Sequence, residues 1–390
     1  MSTPQASPSK RRVLFYVQHL LGIGHLARAS RIAEALVEAG FSVTLVTGGA
    51  TVNGFPGKGV EHVQLPAVVA AKSGFSSLAD IEGNPVDTDF EQRRTAILLE
   101  TFARVEPHVV IIEAFPFGRR QMRFELLPLL EAIENANNRP LLFSSIRDIL
   151  QENRKPGRDR ETADLVARYF DGILVHGDPH FVRLEETFPL AGELADKIHY
   201  TGLVAPVEAP PSADRFGVVI SAGGGAVGGA LIEAALDARD ILDDREEWCV
   251  ITGPNLAQAD YDRFAARVSS GVSLFRFRPD FPSLLPQAGL SISQAGYNTV
   301  CDLLRARCRA LFVPFAAGGE TEQSVRAEKL VALGLAKVVT EQGLTGTAMA
   351  EAITAARELS FPPELPISLD GAAGTARVIA GMLGAQPYRG

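Results

Sequence analysis

Between Ser291 and Leu330 the chain passes twice through one pattern, in which a short apolar run leads through a loop into a segment of helix length. The loop of the first copy is Gln294-Ala295-Gly296, and Gly318-Gly319 open the loop of the second. In an open parallel sheet, such loops emerge together at the carboxyl ends of neighbouring strands, where these sheets bind ligands. The pattern therefore predicts an α/β fold with a ligand site at this edge.

The same stretch predicts the chemistry of the ligand. Two helix N-termini offer backbone N–H groups and positive dipole ends to an anion. Near them, Asp302, Glu322 and Gln323 can accept hydrogen bonds from hydroxyl groups. Backbone N–H donors that suit a phosphate, beside side chains that bind hydroxyl groups, indicate a site for a sugar nucleotide.

Composition narrows the class of protein. The 390 residues are 46% hydrophobic and 22% charged, which is ordinary for a globular chain of two domains. The net charge of -8 without a long basic run argues against nucleic acid as a partner. The cysteines Cys249, Cys301 and Cys308 lack metal-ligand spacing and are typical of a reduced, cytoplasmic protein. We predict no bound metal and no cofactor.

The start of the chain leaves one alternative open. Lys10-Arg11-Arg12 precede an apolar run, as in a signal peptide, but Gln18 and His19 interrupt that run. A strand–loop–helix pattern continues through it, which favours a first βα unit. No uninterrupted apolar run is long enough for a transmembrane helix.

Both halves of the chain open with a strand, a glycine loop and a helix, and the proline-rich segment 205–214 separates them. Residues 48–90 are rich in glycine and proline and are predicted to be irregular. The predicted boundaries are a disordered tail at 1–10, an N-terminal domain at 11–204, the linker, a C-terminal domain at 215–365, and a terminal helical segment at 366–390 for which packing back on the N-terminal domain is one option.

The first glycine loop, GIGHLAR, carries a candidate base. Gly22 and Gly24 allow a tight turn, and His25 falls at the start of the following helix. A histidine there can take a proton from an acceptor hydroxyl or from water, and Arg28, one turn later, can meet an anion. The alternative is a helix-capping histidine and a solvated arginine.

Two further loops are candidate nucleotide contacts. In Ala222 to Gly229, the glycines Gly223, Gly224 and Gly225 can cradle a phosphate, although their spacing is not the dinucleotide fingerprint. In FRFRPD, Phe277 and Arg278 can face a nucleobase. A packed aromatic residue with a surface arginine is the alternative there.

The segment FPFGRR, which begins at Phe115, mixes aromatic and basic residues. It can touch a lipid surface or an apolar acceptor, or it can be a core helix with a basic edge. Asp148 and the run His176 to Pro179 are weaker candidates at predicted strand ends.

SISQAGYNTVCDLL, VPFAAGGETEQSVRAEKL and GIGHLARA together resemble the family-28 glycosyltransferases. The resemblance implies the fold called GT-B, with two Rossmann-like domains facing each other across a cleft. The chain also differs from the cell-wall enzymes of that family in two ways. Gln294 stands near a position where those enzymes have a basic residue, and the polar pair Glu322-Gln323 is Glu-Gln rather than Gln-Gln. The FPFGRR-like and EQxxRA segments are similar to those of a separate branch of predicted bacterial glycosyltransferases.

The resemblance also implies roles for the residues above. The C-terminal domain would bind the donor and the N-terminal domain the acceptor, with His25 as general base and Gly24 and Arg28 near an acceptor or phosphate. The donor-binding residues that the resemblance implies are Gly223, Gly224, Gly225, Arg278, Asp302, Glu322 and Gln323. Gln294 and Gly296, from the loop after the first apolar run, complete the predicted donor site.

The predicted function is transfer of a hexose-type sugar, with inversion, from a UDP-sugar to a carbohydrate, lipid-linked or small-molecule acceptor. The predicted location is cytoplasmic, with peripheral contact at the inner membrane face as an option. Two alternatives stay open. In a UDP-sugar hydrolase His25 would activate water, and a nucleotide-sugar sensor would bind the donor without turnover.

Overall fold

The computed structural model of the chain describes residues 10–20, 24–71, 74–151, 155–224 and 227–385. Within those ranges the chain separates into two compact units. Unit 1 comprises Met1–Pro179, Arg183–Val204 and Asp370–Gly390, and unit 2 comprises His180–Val182 and Ala205–Leu369. Apart from Lys10, the predicted tail lies outside the described residues, as do Gly22, Gly225 and residues 386–390.

Unit 1 is built on a parallel sheet of seven strands in its described part, in the order β3-β2-β1-β6-β7-β8-β9. A separate antiparallel hairpin pairs β4 with β5. The strands are β1 (Arg12–Val17), β2 (Ser42–Thr47), β3 (Glu61–Gln64), β4 (Val68–Ala71), β5 (Gly74–Asp80), β6 (Val109–Glu113), β7 (Leu141–Arg147), β8 (Gly172–His176) and β9 (Ile198–Tyr200).

The helices that connect these strands are α1 (Gly24–Glu38), α2 (Thr88–Val105), α3 (Arg123–Glu134) and α4 (Arg158–Tyr169). They cover both faces of the sheet, so its central strands β1 and β6 are buried on both sides and are largely apolar. In β1, Leu14 and Tyr16 join the core formed with α2 and α3, while Val13 and Phe15 join the core formed with α1.

The region 48–90 is more ordered than predicted. It contains β3, the β4–β5 hairpin and the first turn of α2. Strand β3 lies at the edge of the sheet, and most of its side chains are exposed. It therefore lacks the apolar run that marks a buried strand.

Among its described residues, unit 2 is built on a six-stranded parallel sheet in the order β12-β11-β10-β13-β14-β15. Its strands are β10 (Val218–Ser221), β11 (Trp248–Ile251), β12 (Val272–Phe275), β13 (Leu290–Ser293), β14 (Ala310–Phe312) and β15 (Ala336–Val338). Its helices are α5 (Gly229–Leu242), α6 (Gln258–Arg267), α7 (Phe281–Leu284), α8 (Tyr297–Ala306), α9 (Glu322–Ala332) and α10 (Gly346–Arg357).

A last helix, α11 (Gly371–Ala385), belongs to unit 1 although it follows unit 2 in sequence. Its residues Ile379 and Leu383 pack with Ile32 of α1 in one apolar core. The approach is close, because a Cβ added to Gly374 would lie 2.0 Å from the carbonyl oxygen of Thr201. The predicted alternation of strands and helices is confirmed in both units, each of which is a Rossmann-like parallel sheet with helices.

Candidate active site

In each unit the order of strands reverses beside the first strand. In unit 1, β1 lies between β2 and β6, and in unit 2, β10 lies between β11 and β13. The crevice at the carboxyl ends of such a strand pair is where open α/β sheets bind ligands. Of the sequence-predicted residues, His25 and Arg28 follow β1 and Gly223, Gln294 and Gly296 follow β10 or β13, whereas Arg278 and Glu322 follow the neighbouring strands β12 and β14.

His25 and Glu113 meet at the reversal point of unit 1. His25 is the second residue of α1, which follows β1, and Glu113 is the last residue of β6. The Nδ1 atom of His25 lies 2.6 Å from Oε1 of Glu113. The Glu113 side chain is 1% exposed and that of His25 is 25% exposed, so the imidazole stays accessible to a substrate.

Two arginines surround the same carboxylate. Arg28, buried one turn after His25, donates a hydrogen bond from Nη2 to Oε1 of Glu113. The Nε atom of Arg119 lies 4.0 Å from Oε2 of Glu113. Arg28 is thus a partner of a buried acid inside unit 1 rather than a solvated residue. Gly24, the first residue of α1, precedes this cluster.

Burial and charge fix the protonation of the pair. Burial lowers the pKa of His25 to about 4, although Glu113 acts in the opposite direction. Burial alone would raise the pKa of Glu113, but His25, Arg28 and Arg119 together hold that pKa below its ordinary value. At neutral pH the pair is therefore a neutral imidazole and a carboxylate. The Nδ1–H group of His25 donates to Glu113, and Nε2 can accept a proton.

A second histidine lies deeper in unit 1. His176, the last residue of β8, is fully buried and contacts Ser145 Oγ through Nε2 at 2.7 Å and Thr201 Oγ1 through Nδ1 at 2.9 Å. Burial lowers its pKa to about 3. Asp148 is also fully buried and accepts the backbone N–H of Ile149 through Oδ1. Both residues are therefore buried at or just after a strand end of this unit.

The FPFGRR segment is used within unit 1. Phe115 is fully buried, and Phe117 stacks edge-on against Phe188 with ring centroids 5.1 Å apart. Arg120 forms an ion pair with Glu161. Arg123 of α3 forms an ion pair with the same glutamate. These aromatic and basic side chains therefore have partners inside the unit.

Three loops converge at the reversal point of unit 2. Gly223, which follows β10, has φ +61°, and a Cβ there would lie 3.3 Å from Oε1 of Gln294, which follows β13. The backbone N–H of Asn255, after β11, donates to the carbonyl of Gly224 at 3.1 Å. Gly223 and Gly224 are exposed, so their backbone faces solvent at this edge.

Two helices begin at this edge without a side-chain cap from any described residue. Gly228 precedes α5, and Gly296 precedes α8. Gly228 lies so close to the strand end that an added Cβ would lie 2.2 Å from Cβ of Ala222. Both helices therefore begin at the same edge of the sheet as the exposed glycines, and the N-terminal end of a helix suits an anion.

Helix α9 is tied to the loop after β13 by a buried arginine. The fully buried Arg326 donates from Nη1 to the carbonyl of Ala295 at 2.9 Å and from Nη2 to Oε1 of Glu322 at 2.7 Å. The adjacent Gln323 accepts the backbone N–H of Phe315 at 3.2 Å. Glu322 and Gln323 thus help to shape the loops at this edge. Asp302, in the second turn of α8, is half-buried.

Arg278 lies beyond β12, at the end of the same edge. Its Nε donates to Oδ1 of Asp280 at 2.7 Å, and its Nη2 reaches Oδ2 of Asp214 at 2.8 Å. The hydrogen bond to Asp280 raises the pKa of Arg278. The side chain therefore clamps the end of the proline-rich segment, while the neighbouring Phe277 is 62% exposed.

Sequence reasoning missed Glu113, Arg326 and the position of Arg119. The signal for Glu113 was an acid that ends an otherwise apolar run, VVIIE. A charged residue at the carboxyl end of a buried strand is costly unless it has a partner, so it marks a candidate site residue. Arg326 gave no local signal, because its partners follow from the fold.

No helix within the described ranges is long and apolar enough to span a membrane. No cluster of three or more His, Cys, Asp or Glu residues in those ranges is arranged to hold a metal ion.

Comparison with protein families locates a known domain in unit 2. Residues 218–361 match the glycosyltransferase family 28 C-terminal domain. The match begins at β10 and runs beyond α10, so it contains the crevice described above. The resemblance predicted from the sequence is confirmed in this region.

Curated relatives match parts of the chain. One is the UDP-N-acetylglucosamine--N-acetylmuramyl-(pentapeptide) pyrophosphoryl-undecaprenol N-acetylglucosamine transferase of Myxococcus xanthus, 29% identical over 165 residues, which are 41% of this chain and 42% of that protein. The protein of the same name from an Exiguobacterium species is 36% identical over 90 residues, 23% of this chain and 25% of its own length. The chain thus matches less than half the length of these relatives.

Solved structures resemble the whole chain in fold. A calicheamicin glycosyltransferase has a TM-score of 0.62 at 16% identity, covering 96% of this chain and 98% of that one. The glycotransferase of kitacinnamycin gives 0.65 at 13% identity, covering 97% and 100%. The MurG protein of Acinetobacter baumannii gives 0.59 at 15% identity, covering 96% and 99%. The chain therefore has the GT-B fold of two Rossmann-like domains, and its residues 218–361 match the C-terminal domain of glycosyltransferase family 28.

Proposed function

We propose that this chain is an inverting glycosyltransferase that moves a hexose-type sugar from a uridine diphosphate sugar to an acceptor hydroxyl. The observation that carries the proposal is the pair of His25 and Glu113, in which a buried carboxylate orients an accessible, neutral imidazole. The family-28 match of unit 2 supports glycosyl transfer as the reaction class. The curated relatives are named for UDP-N-acetylglucosamine, which supports uridine diphosphate as the carrier.

The donor binds to unit 2 in this proposal. Its diphosphate takes N–H groups from the starts of α5 and α8 and from the loop that holds Gly223 and Gly224. Gly225 belongs to the same proposed loop but lies outside the described residues. Gln294 and Gly296 border the diphosphate.

The remaining donor contacts are assigned by chemistry. Asp302 accepts hydrogen bonds from the ribose hydroxyls, and Glu322 and Gln323 contact the donor sugar. The backbone at Arg278 meets the uracil, since the guanidinium is held by Asp280 and Asp214. The position of Glu322 is fixed by its ion pair with Arg326.

The reaction follows from the state of His25. Nε2 of His25 accepts the proton of the acceptor hydroxyl as its oxygen bonds to the anomeric carbon, and the bond from that carbon to the β-phosphate oxygen breaks. Attack from the side opposite the leaving group inverts the anomeric centre. The imidazolium that forms is stabilised by Glu113, and backbone donors stabilise the departing diphosphate.

The proposed acceptor is a compound with a hydroxyl group that binds to unit 1. It is a carbohydrate, a lipid-linked compound or a small molecule. The curated relatives are named for a lipid-linked acceptor, pyrophosphoryl-undecaprenol. An acceptor of that kind would bring the protein to the inner membrane face as a peripheral protein.

Product analysis tests the proposal. The full chain is incubated with UDP-glucose, UDP-galactose or UDP-N-acetylglucosamine, with and without fractionated cell extract as acceptor source. We expect UDP release that depends on one extract fraction, and NMR of the product should show a β-linkage formed from the α-linked donor. Free sugar released at the full rate without extract would indicate a hydrolase instead. Tight UDP-sugar binding without UDP release in any fraction would indicate a sensor.

A further inference from the structure

We propose that Arg326 is a positioning residue for the donor, because its one buried guanidinium holds both the peptide group before Gly296 and the carboxylate of Glu322. The inference rests on the proposed function, in which Gly296 borders the diphosphate and Glu322 contacts the donor sugar. It adds a residue that acts on the donor without touching it. It also gives a role to the arginine of the EQxxRA segment.

The contacts of Arg326 join two helices of unit 2. The side chain belongs to α9 and is fully buried. Its Nη1 donates to the carbonyl oxygen of Ala295 at 2.9 Å, and its Nη2 donates to Oε1 of Glu322 at 2.7 Å. The guanidinium carbon also lies 5.7 Å from the ring centroid of Tyr297, the first residue of α8. One side chain of α9 thus contacts the loop before α8, the start of α8 and the start of its own helix.

The contact with Ala295 sets the direction of the next N–H group. In a trans peptide, the carbonyl of one residue and the N–H of the following residue point to opposite sides. Since the Ala295 carbonyl points to the buried guanidinium, the N–H of Gly296 points away from it. Among the described residues this N–H has no hydrogen-bond partner, and Gly296 is only half-buried. Arg326 therefore holds in one direction a backbone donor that the described part of the chain does not use.

The backbone at Gly296 leaves space beside that donor. Its φ of -66° and ψ of 145° are values that residues with a side chain adopt freely. A Cβ at this position would meet nothing within 4 Å. The fold of the described residues therefore does not itself require a glycine here. The open space stays available to a ligand oxygen that approaches the N–H.

Arg326 also makes the Gly296 N–H a stronger donor. A charged group that donates to a carbonyl polarises the peptide, and linked hydrogen bonds strengthen one another where the dielectric is low. The charge of a buried side chain thus acts on the diphosphate through one peptide group. The ion pair with Glu322 compensates that charge, which would be costly to bury alone.

The same guanidinium connects the two parts of the donor. Glu322 is 5% exposed, so its carboxylate can contact a sugar only in the position that Arg326 gives it. A lysine would keep the charge but lose the planar pair of donors, and it could not hold both acceptors in this geometry. A ligand with a diphosphate and a sugar should therefore depend on Arg326 more than a ligand with neither.

Arg239 offers a matched control at the other edge of the same sheet. It lies in α5, is 9% exposed, and donates through Nη2 to the carbonyls of Glu246 and Ser270. These two residues precede β11 and β12, so they lie at the amino ends of strands. Arg239→Lys thus alters another buried arginine of unit 2 away from the proposed donor site.

Calorimetric titration with uridine, UDP and UDP-glucose tests the positioning role. We expect Arg326→Lys to weaken UDP binding by about 10- to 100-fold, as for a lost hydrogen bond to a charged group, and to leave uridine binding unchanged. UDP-glucose should lose at least as much as UDP, because it also depends on Glu322. Arg239→Lys should leave all three affinities unchanged. An unchanged affinity for UDP in Arg326→Lys, or an equal loss for uridine and UDP, would overturn the proposal.

A double-mutant cycle shows whether Arg326 acts through Gly296. Proline has no N–H, and the φ of -66° at this position matches the angle that proline imposes. We expect Gly296→Pro to weaken UDP binding, and Arg326→Lys to weaken it little further in that background. Independent losses that multiply in the double variant would place the action of Arg326 elsewhere and overturn the proposal.

An NMR titration separates this inference from the proposed function. The full chain is labelled with ¹⁵N-glycine, and the Gly296 signal is assigned by its loss in Gly296→Ala. Inorganic pyrophosphate should shift that signal in the unaltered chain and shift it much less in Arg326→Lys. If the signal behaves in this way but no sugar is transferred, the positioning role stands and the reaction assignment falls. If sugar is transferred but neither pyrophosphate nor UDP moves the signal, the reaction assignment stands and the positioning role falls.

Discussion

Nδ1 of His25 lies 2.6 Å from Oε1 of Glu113, although the two residues are 88 positions apart in sequence. The contact forms because β1 and β6 are neighbours in the sheet and both end at the same edge. The helix after β1 supplies the imidazole and the end of β6 supplies the carboxylate. Removing the charge of Glu113 should therefore change catalysis and not only packing.

We predict that Glu113→Gln lowers the transfer rate by about 10²- to 10⁴-fold, because glutamine cannot stabilise the imidazolium that forms on His25. The variant also leaves Arg28 buried without its carboxylate, which should cost about 3–5 kcal/mol in the free energy of unfolding. Rates are measured per folded molecule, with urea unfolding as the check on stability.

Glu125→Gln is the matched control for this variant. Arg94 and Glu125 form another ion pair in unit 1, with both side chains 0% exposed. Loss of the Arg94–Glu125 ion pair should lower the free energy of unfolding by about as much as Glu113→Gln does, and it should leave the transfer rate per folded molecule nearly unchanged. Equal rate losses in the two variants would contradict a specific role for Glu113.

The pH profile should reflect the low pKa of His25. The base acts when it is unprotonated, and its pKa is lowered from 6.5 to about 4. Activity per folded molecule should therefore stay level as pH falls through 6.5 and decline only toward pH 4. A decline centred near 6.5, measured as kcat/KM against pH, would show that the surroundings of His25 do not lower its pKa.

Stability should begin to fall at a higher pH than activity. His25 and His176 have pKa values of about 4 and about 3 in the folded chain, against 6.5 when unfolded. Below pH 6.5 the two histidines bind protons in the unfolded chain but stay neutral in the folded chain. Their contribution to the free energy of unfolding is therefore complete above pH 6.5 and is lost as pH falls toward their pKa values in the folded chain. Urea unfolding at several pH values checks this, and His176→Gln should reduce the slope. A free energy of unfolding that does not change between neutral and mildly acidic pH would be inconsistent with neutral buried histidines.

Two adjacent glycines allow a controlled test of the donor crevice. A Cβ at Gly228 would lie 2.2 Å from Cβ of Ala222, whereas a Cβ at Gly229 would meet nothing within 4 Å. Gly228→Ala should destabilise the chain by about 1–3 kcal/mol through overpacking and weaken UDP binding by displacing the start of α5. Gly229→Ala should leave stability unchanged or raise it slightly. Thermal unfolding and calorimetric titration with UDP measure both effects, and equal results for the two variants would refute the close approach.

The docking of α11 is testable in the same way. A Cβ at Gly374 would lie 2.0 Å from a backbone oxygen of Thr201, and a Cβ at Gly381 would meet nothing within 4 Å. Gly374→Ala should shift the helix and lower the free energy of unfolding by about 1–3 kcal/mol or more. Gly381→Ala should raise it by about 0.5–1 kcal/mol because alanine favours the helix. Urea unfolding measures both free energies. A free energy of unfolding that Gly374→Ala leaves unchanged would show that α11 does not pack against Thr201.

The strands and glycine loops could be predicted from the sequence because their signals are local. The apolar run at Val13 to Val17 is continuous because both faces of β1 are covered. The edge strand β3 gave no such signal, since its exposed side chains are polar. The glycines at 223 and 228 were recognised as a loop, and the structure adds the contacts that make them necessary.

The candidate site could be predicted only in part. His25 was visible because it follows a glycine loop at the start of a helix. Its partner Glu113 was not, because their pairing depends on which strands are neighbours. Likewise, Glu322 was recognised as a polar residue near a helix start, but its ion pair with the buried Arg326 follows from packing. Contacts between distant residues carry no local pattern that a single sequence can show.

The place of α11 in unit 1 has a consequence for how the protein is made. During synthesis, every residue of unit 2 between Ala205 and Leu369 leaves the ribosome before α11 does. Until then, the face of α1 that includes Ile32 lacks the apolar partners Ile379 and Leu383. Because nascent domains usually fold as they emerge, unit 2 is able to fold before unit 1 has received its last helix, although synthesis of unit 1 starts first.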